Sequence, residues 1–192
     1  MNPKEIIINA LRRADNKERG LSITYPNDNL SSGHAKKADH NLIVMTDLSR
    51  LGHEDWVAIV AYYAMYQSSL SLLAKIGLQS KEHATTVAIL EYFFGKQIGK
   101  ELIEKFNGLK EKKDKIEAVT IEEKYIDYLW KAKSARETVQ YGISINYKET
   151  DIIMSHAREF ASKIKIVLSE LDEKIIGMIT SKIKKMQQEI SQ

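Results

Sequence analysis

Apolar side chains recur along this chain at three- and four-residue spacings rather than in alternation, and the recurrence persists nearly from end to end. Only two prolines and nine glycines interrupt it, so the pattern predicts an all-α protein. Asn2 as N-cap, Pro3 at the first helical position and Glu5 in a capping-box-like spacing announce the first helix, with Gly20 as its stop. The segment LSITYPNDNLSSG reads as a loop. A second helix is expected from about Ser32 to Ser49, with Ala38, Leu42, Met45 and Leu48 on one face and Gly52 beyond its end.

The third helix holds WVAIVAYYAMYQSSLSLLAKI, Trp56 to Ile76, which is free of charge from Trp56 to Ala74 and closes near Gly77. The run approaches membrane-spanning length, yet three tyrosines, one glutamine and three serines within it favour a helix buried at the centre of a bundle. Ala61, Ala64 and Ser68 would let neighbouring helices approach closely, and the tyrosines would mostly fill the core. Ser80 is expected to cap a fourth helix, SKEHATTVAILEYFFGK, with Val87, Leu90, Phe93 and Phe94 facing inward. From Phe106 to Glu117 the charges are mixed and too dense to bury, which predicts a solvated turn or short helix. A further helix begins near Thr120, carries the stripe Ile121, Tyr125, Leu129, Ala132 and Val139, and ends at Gly142.

The last helix is expected to run from about Thr150 to Ile190, long enough that it must project beyond the bundle or bend around it. Ile164, Ile175 and Met186 are spaced by eleven, as are Leu168, Ile179 and Ile190, a rhythm that calls for a nearly straight or right-handed contact with a partner helix. That partner is either another chain or the protein's own bundle. Lys174, Lys182, Lys184 and Lys185 give the same helix a cationic face. The expected organisation is therefore an N-terminal helix and loop extension over residues 1–30, an up-and-down bundle of four to five helices over 31–172, and a C-terminal extension over 173–192 continuous with the last bundle helix.

Composition narrows the chemistry more than it defines it. The 192 residues suit one domain, and 43% hydrophobic with 29% charged residues is an ordinary globular balance. A net charge of +3 permits a phosphate-rich partner without requiring one. Cysteine is absent, which removes disulfides, thiolate nucleophiles and cysteine-based zinc sites. The first twenty residues carry early charges and no apolar run of signal-peptide length, so the expected location is cytoplasmic with no membrane association.

Searches for catalytic motifs return little. There is no phosphate-binding glycine loop, no HExxH helix and no GxSxG elbow. Histidines at 34, 40, 53, 83 and 156 never fall four apart, so no metal or other cofactor is expected. Arg136 in KAKSARETVQYG is the exception, because it lies beside the inward stripe, one turn beyond Ala132 and one before Val139. A partly buried guanidinium there is satisfied either by Glu or Tyr from a neighbouring helix or by a phosphate in a cleft between helices. His83, in the first turn of its helix, can pack or hydrogen-bond locally.

The stretch AYYAMYQSSLSLLAKIGLQSKEHATTVAILEYFF, followed by ARETVQYG in the next long helix, resembles the HEPN superfamily of small helical proteins over roughly Ala35 to Glu170. The resemblance implies a helical bundle, commonly a homodimer, often paired with a minimal nucleotidyltransferase in toxin and antitoxin systems of archaea and bacteria. Many such proteins are metal-independent ribonucleases that place an arginine, four to six residues and then a histidine at the dimer cleft. Arg136 matches that arginine, but ETVQYGI follows it without a histidine, and Tyr141 stands where the shortest version of the motif needs one. A phenol titrating near pH ~10 cannot replace imidazole as general base or acid at neutrality. The resemblance thus implies a non-catalytic binder of nucleotide or RNA, with Arg136 and Tyr141 as contacts and His83 and Tyr63 as further candidates at the cleft. Two alternatives stay open: a ribonuclease whose base is His83 or His156 brought beside Arg136 by folding or by the dimer, and a purely structural helical adaptor.

Overall fold

The computed structural model describes residues 2–14, 20–95, 110–141 and 147–190, without the side chains of 110–114, 141, 147 and 148. In chain order the described elements are α1 (Pro3–Leu11), β1 (Leu21–Ile23), α2 (Asp28–Arg50), α3 (Glu54–Lys75), β2 (Leu78–Ser80), α4 (His83–Phe94), α5 (Lys110–Val119), α6 (Glu123–Tyr141), α7 (Tyr147–Glu170) and α8 (Glu173–Ile190). The protein is an all-α bundle that carries one two-stranded ribbon.

Helix α3 is the axis of the bundle, flanked by α2, α6 and α7. It is long and apolar enough to cross a membrane, and its apolar window is 67% buried inside the protein itself. Ala58, Ala61, Ala64 and Met65 are inaccessible to solvent, as the small-residue spacing predicts. The serines among them do not orphan their hydroxyls: Ser68 donates to the Ala64 carbonyl and Ser69 to the Met65 carbonyl, each at 2.9 Å.

Helix α2 is longer than the periodicity predicts. It starts at Asp28, because the Asn27 side chain accepts from the Leu30 N–H at 2.9 Å and caps the helix ahead of Ser32. Ala38 and Met45 are buried as expected, while Leu42 and Leu48 pack half-buried against the core.

The ribbon is an element the sequence does not announce. Residues 21–23 pair antiparallel with residues 78–80, Leu21 opposite Ser80 and Ile23 opposite Leu78. Three-residue strands show no usable alternation, which is why residues 21–23 read as loop and Ser80 as a helix cap. Gly77 makes the entry: its φ is +73°, and a Cβ there would sit 2.7 Å from the Thr24 carbonyl oxygen. Ser80 therefore lies in a strand rather than at a helix cap, and its hydroxyl donates to the Glu82 carbonyl at 2.9 Å. Helix α4 begins at His83, two residues later than expected, with Glu82 in place of Ser80 as its cap residue.

The charged stretch forms α5 from Lys110 onward, and Ile116 and Val119 give it a buried face; residues 106–109 lie outside the described part. Lys163 on α7 explains how this helix docks. Its buried ammonium donates to the carbonyls of Glu117 at 3.5 Å and Ala118 at 3.2 Å, neutralising the negative end of α5. Glu122 stands 3.6 Å from the same ammonium.

Where the periodicity predicts one helix from Thr150 to Ile190, the structure has two. The chain breaks at Leu171–Asp172 and restarts, because the Asp172 carboxylate accepts from the Ile175 N–H at 2.8 Å and pairs with Lys115 at 2.7 Å. Helix α8 lays Ile175, Ile179, Ile183 and Met186 into the protein's own core, against α1 among other elements. The residues of the eleven-residue rhythm thus pack within this chain's own core. Ile7 and Leu21 from the N-terminal segment share that core cluster with Ile179 and Ile183.

Asp172→Ala removes the cap and the ion pair together, and it is expected to lower stability by about 1 kcal/mol in urea unfolding with an unchanged slope. Burial disfavours the charged form of Asp172, but Lys115 and the Ile175 N–H outweigh it and hold the carboxyl below its ordinary value. Its contribution is therefore present above the unfolded-state value of about 3.9 and is lost as pH falls, so the gap between wild type and variant narrows in acid. A gap that widens in acid would contradict the assignment.

Candidate functional site

Three elements converge on Tyr62. Helix α3 supplies Tyr62, Tyr63 and Tyr66, α4 supplies His83 from its first position, and α6 supplies Lys133, Arg136 and Glu137. Tyr62 is 1% exposed and its hydroxyl is hydrogen-bonded to the Nδ1 of His83. The imidazole is wedged against a second tyrosine, with its centroid 4.3 Å from the ring of Tyr66. Tyr66 in turn stacks on Tyr62 at 5.9 Å, and Tyr63 meets Tyr62 edge-on at 5.4 Å. Consecutive and one-turn spacings on a single helix create this aromatic group without help from any other element.

Arg136 lies over the Tyr62 ring, its guanidinium carbon 5.2 Å from the centroid. A cation on a tyrosine face contributes on the order of 1 kcal/mol, so the stack orients the guanidinium more than it satisfies it. Its Nε is buried and has no hydrogen-bond partner among the described residues. The nearest carboxylate in sequence, Glu137, is bound instead to Lys133 at 2.7 Å, one turn back on α6. Of the two ways to satisfy Arg136, a Glu or Tyr partner for its Nε is not seen among the described residues.

The cluster also fixes protonation. Burial first, then the Tyr66 phenol, push Tyr62 well above the ordinary tyrosine value, with Arg136 opposing them. Tyr62 stays a neutral phenol. Burial first, then the Arg136 and Lys133 cations, hold His83 below the ordinary imidazole value, with Glu137 pulling the other way. Near neutrality His83 is an uncharged ring, with one nitrogen engaged by Tyr62.

Of the candidates named from sequence, Arg136, His83 and Tyr63 are brought around one ring, and Tyr63 is 40% exposed beside it. Tyr141 closes α6, and its side chain lies outside the described residues. His156 is elsewhere: it stacks on Tyr128 at 3.7 Å, and its charged neighbours are Lys131 and Glu159. Sequence reasoning misses Tyr62, the residue to which the others attach, because nothing in a periodicity shows which of three adjacent tyrosines faces a helix not yet placed. The Lys133–Glu137 pair was legible as a four-residue spacing of opposite charges.

No arrangement for a metal accompanies the cluster, since no group of three or more His, Asp or Glu among the described residues is placed to hold one. Two grooves lie away from it. One of about 1220 Å³ runs between Tyr25, Lys75 and the α8 residues Gly177 and Lys184, and one of about 460 Å³ lies between Asn2, Tyr92 and Ile126. Comparison of the chain with protein-family models, with curated proteins and with solved structures finds no match.

The His83 assignment is checked by following its ring protons in an NMR pH titration. The midpoint should fall below the free value of about 6.5, and Arg136→Met, which keeps the packing but removes the cation, should raise it. Because the folded state then binds fewer protons than the unfolded state, His83 subtracts stability only as pH drops below about 6.5. A midpoint unmoved by Arg136→Met would place the arginine away from the imidazole.

Proposed function

We propose that this chain is a HEPN-like, non-catalytic protein that binds a nucleotide or RNA phosphate through Arg136 and acts as the dimeric partner of a nucleotidyltransferase. The observation that carries the binding reading is the guanidinium of Arg136, placed over the Tyr62 ring with its Nε buried and without a hydrogen-bond partner among the described residues. A planar, permanently charged donor fork in that condition suits a phosphate, which can accept two of its hydrogen bonds at once. The exposed Tyr63 ring beside it offers a face on which an unpaired base can stack. The nucleotidyltransferase and the dimer rest on the sequence resemblance alone.

One observation favours a second reading, a ribonuclease. His83 sits on the same tyrosine as Arg136, so a neutral imidazole is available to take the proton of a ribose 2′-hydroxyl as that oxygen attacks the adjacent phosphorus and the 5′-oxygen leaves. Its commitment to the Tyr62 hydroxyl and its place in the aromatic wedge make it a structural member first, which keeps binding ahead of cleavage.

Isothermal titration with ATP, other nucleotides and a short RNA, at low and moderate salt, tests the proposal. Wild type should bind, more weakly as salt rises, and Arg136→Ala should lose about tenfold or more in affinity. Absence of binding by wild type would refute it. Site-specific RNA cleavage that disappears in His83→Gln would replace it with the ribonuclease.

A further inference from the structure

His83 is the residue of the Tyr62 cluster whose charge can change near neutrality, since the tyrosine phenols, Lys133, Arg136 and Glu137 keep theirs. Its ring is half-buried, so protons from solvent reach it. The surroundings accept either state. A phenol both donates and accepts, so the bond between the Tyr62 hydroxyl and the His83 Nδ1 holds when that nitrogen is bare and again when it carries a proton. The imidazole centroid lies 5.5 Å from the ring of Tyr62 and 4.3 Å from that of Tyr66, and tyrosine rings tolerate a neighbouring cation. Protonation can therefore add charge while the ring stays in place.

No nearby acid claims that charge for itself. Glu82, which precedes His83 in the chain, pairs with Arg13 just past α1 at 2.8 Å, and Glu137 on α6 pairs with Lys133 at 2.7 Å. The other charged groups that act on the imidazole are the cations Arg136 and Lys133. Arg136 is the nearer to a ligand, and its place relative to His83 is bounded by the ring they share. The guanidinium carbon lies 5.2 Å from the Tyr62 centroid and the imidazole 5.5 Å from it, so their separation cannot exceed the sum of the two. That limit is close to one Debye length at about 0.1 M salt, and charges in a partly buried cluster are screened less than charges in open solvent.

We propose that His83 is a proton-linked regulator of the Arg136 site: protonating its ring tightens the hold on an anion there, and a bound anion draws a proton onto the ring. The inference rests on the reading that Arg136 holds phosphate, and adds to it the condition under which the hold strengthens. In the anion-free protein, burial and the two cations keep the midpoint of His83 low. A bound anion cancels part of the repulsion and raises it. Affinity is then level above the raised midpoint, climbs as pH falls through it, and levels again below the lower one.

The probe is the dinucleoside monophosphate ApA, whose phosphodiester stays singly charged where a terminal phosphate would itself titrate. Its affinity for the full chain is measured at fixed ionic strength from about pH 8 to about pH 5 in wild type, His83→Gln and Arg136→Ala. The His83 ring protons of wild type are followed by NMR over the same range, with and without saturating ApA. Arg136→Ala should weaken binding throughout. Wild type should bind about fivefold more tightly at the acid end, the scale of one unit charge at that range, and ApA should raise the His83 midpoint by the logarithm of the same factor. The acid gain should be absent from His83→Gln. If ApA binds through Arg136 with an affinity that ignores pH, or leaves the His83 midpoint where it was, the regulation is overturned while the phosphate site stands. An acid gain that persists in His83→Gln overturns it too, and the NMR arm decides the question in wild type alone if that variant does not fold. If wild type does not bind ApA at any pH, both readings fall.

Discussion

A helix surrounded by other helices has no water to satisfy its polar side chains, and α3 carries several of them. Every such group must find its partner inside the protein. Ser68 and Ser69 turn back to their own helix at 2.9 Å, and Ser71 reaches the Ser68 carbonyl at 2.6 Å. Gln67 needs α2, whose His34 approaches its amide oxygen at 2.7 Å. Tyr62 needs α4, whose first residue supplies the imidazole. These requirements fix more than packing does, since apolar surfaces tolerate sliding and hydrogen bonds do not. They set where α2 and α4 stand against the axis, and the ribbon between β1 and β2 sets where α4 begins.

The candidate site is a by-product of satisfying Tyr62. Once His83 is drawn to the phenol, the face of the ring that remains is covered by α6, and Arg136 is the side chain that arrives there. A hydrocarbon at that position would pack as well. An arginine brings a charge whose Nε is buried without a hydrogen-bond partner among the described residues. Neighbouring Lys133 and Glu137 pair with one another at 2.7 Å. Electrostatics and packing thus meet in a single feature: a cation over a buried tyrosine, beside the partly exposed Tyr63 ring.

Much of this architecture is legible in the sequence, for identifiable reasons. Helices with long stripes are legible, as with Tyr125, Leu129, Ala132 and Val139, because about four turns of consistent spacing point to a helix. The buried character of α3 follows from a charge-free run interrupted by hydroxyls. Short-range capping decides what the stripes cannot. The start of α2 depends on Asn27, and the break before α8 depends on Asp172, single residues whose role appears only when a particular N–H is within reach. Strands of three residues are too brief for any period to register. At the site, Arg136 is legible because a charge beside an apolar stripe is an exception to its own pattern. The meeting of His83 with Tyr62 is not, because it depends on how two helices cross.

The account turns on whether the Arg136 guanidinium lies on Tyr62 and is free to take a phosphate. The Nε–H proton of Arg136 reports both conditions in one NMR experiment, assigned by its absence in Arg136→Lys. It should appear in the free protein at a position displaced by the Tyr62 ring current, lose that displacement in Tyr62→Leu, and move again when a short RNA or ApA is added. A signal at the position of a solvent-exposed arginine, or one that ignores added ligand that the protein demonstrably binds, would contradict the account.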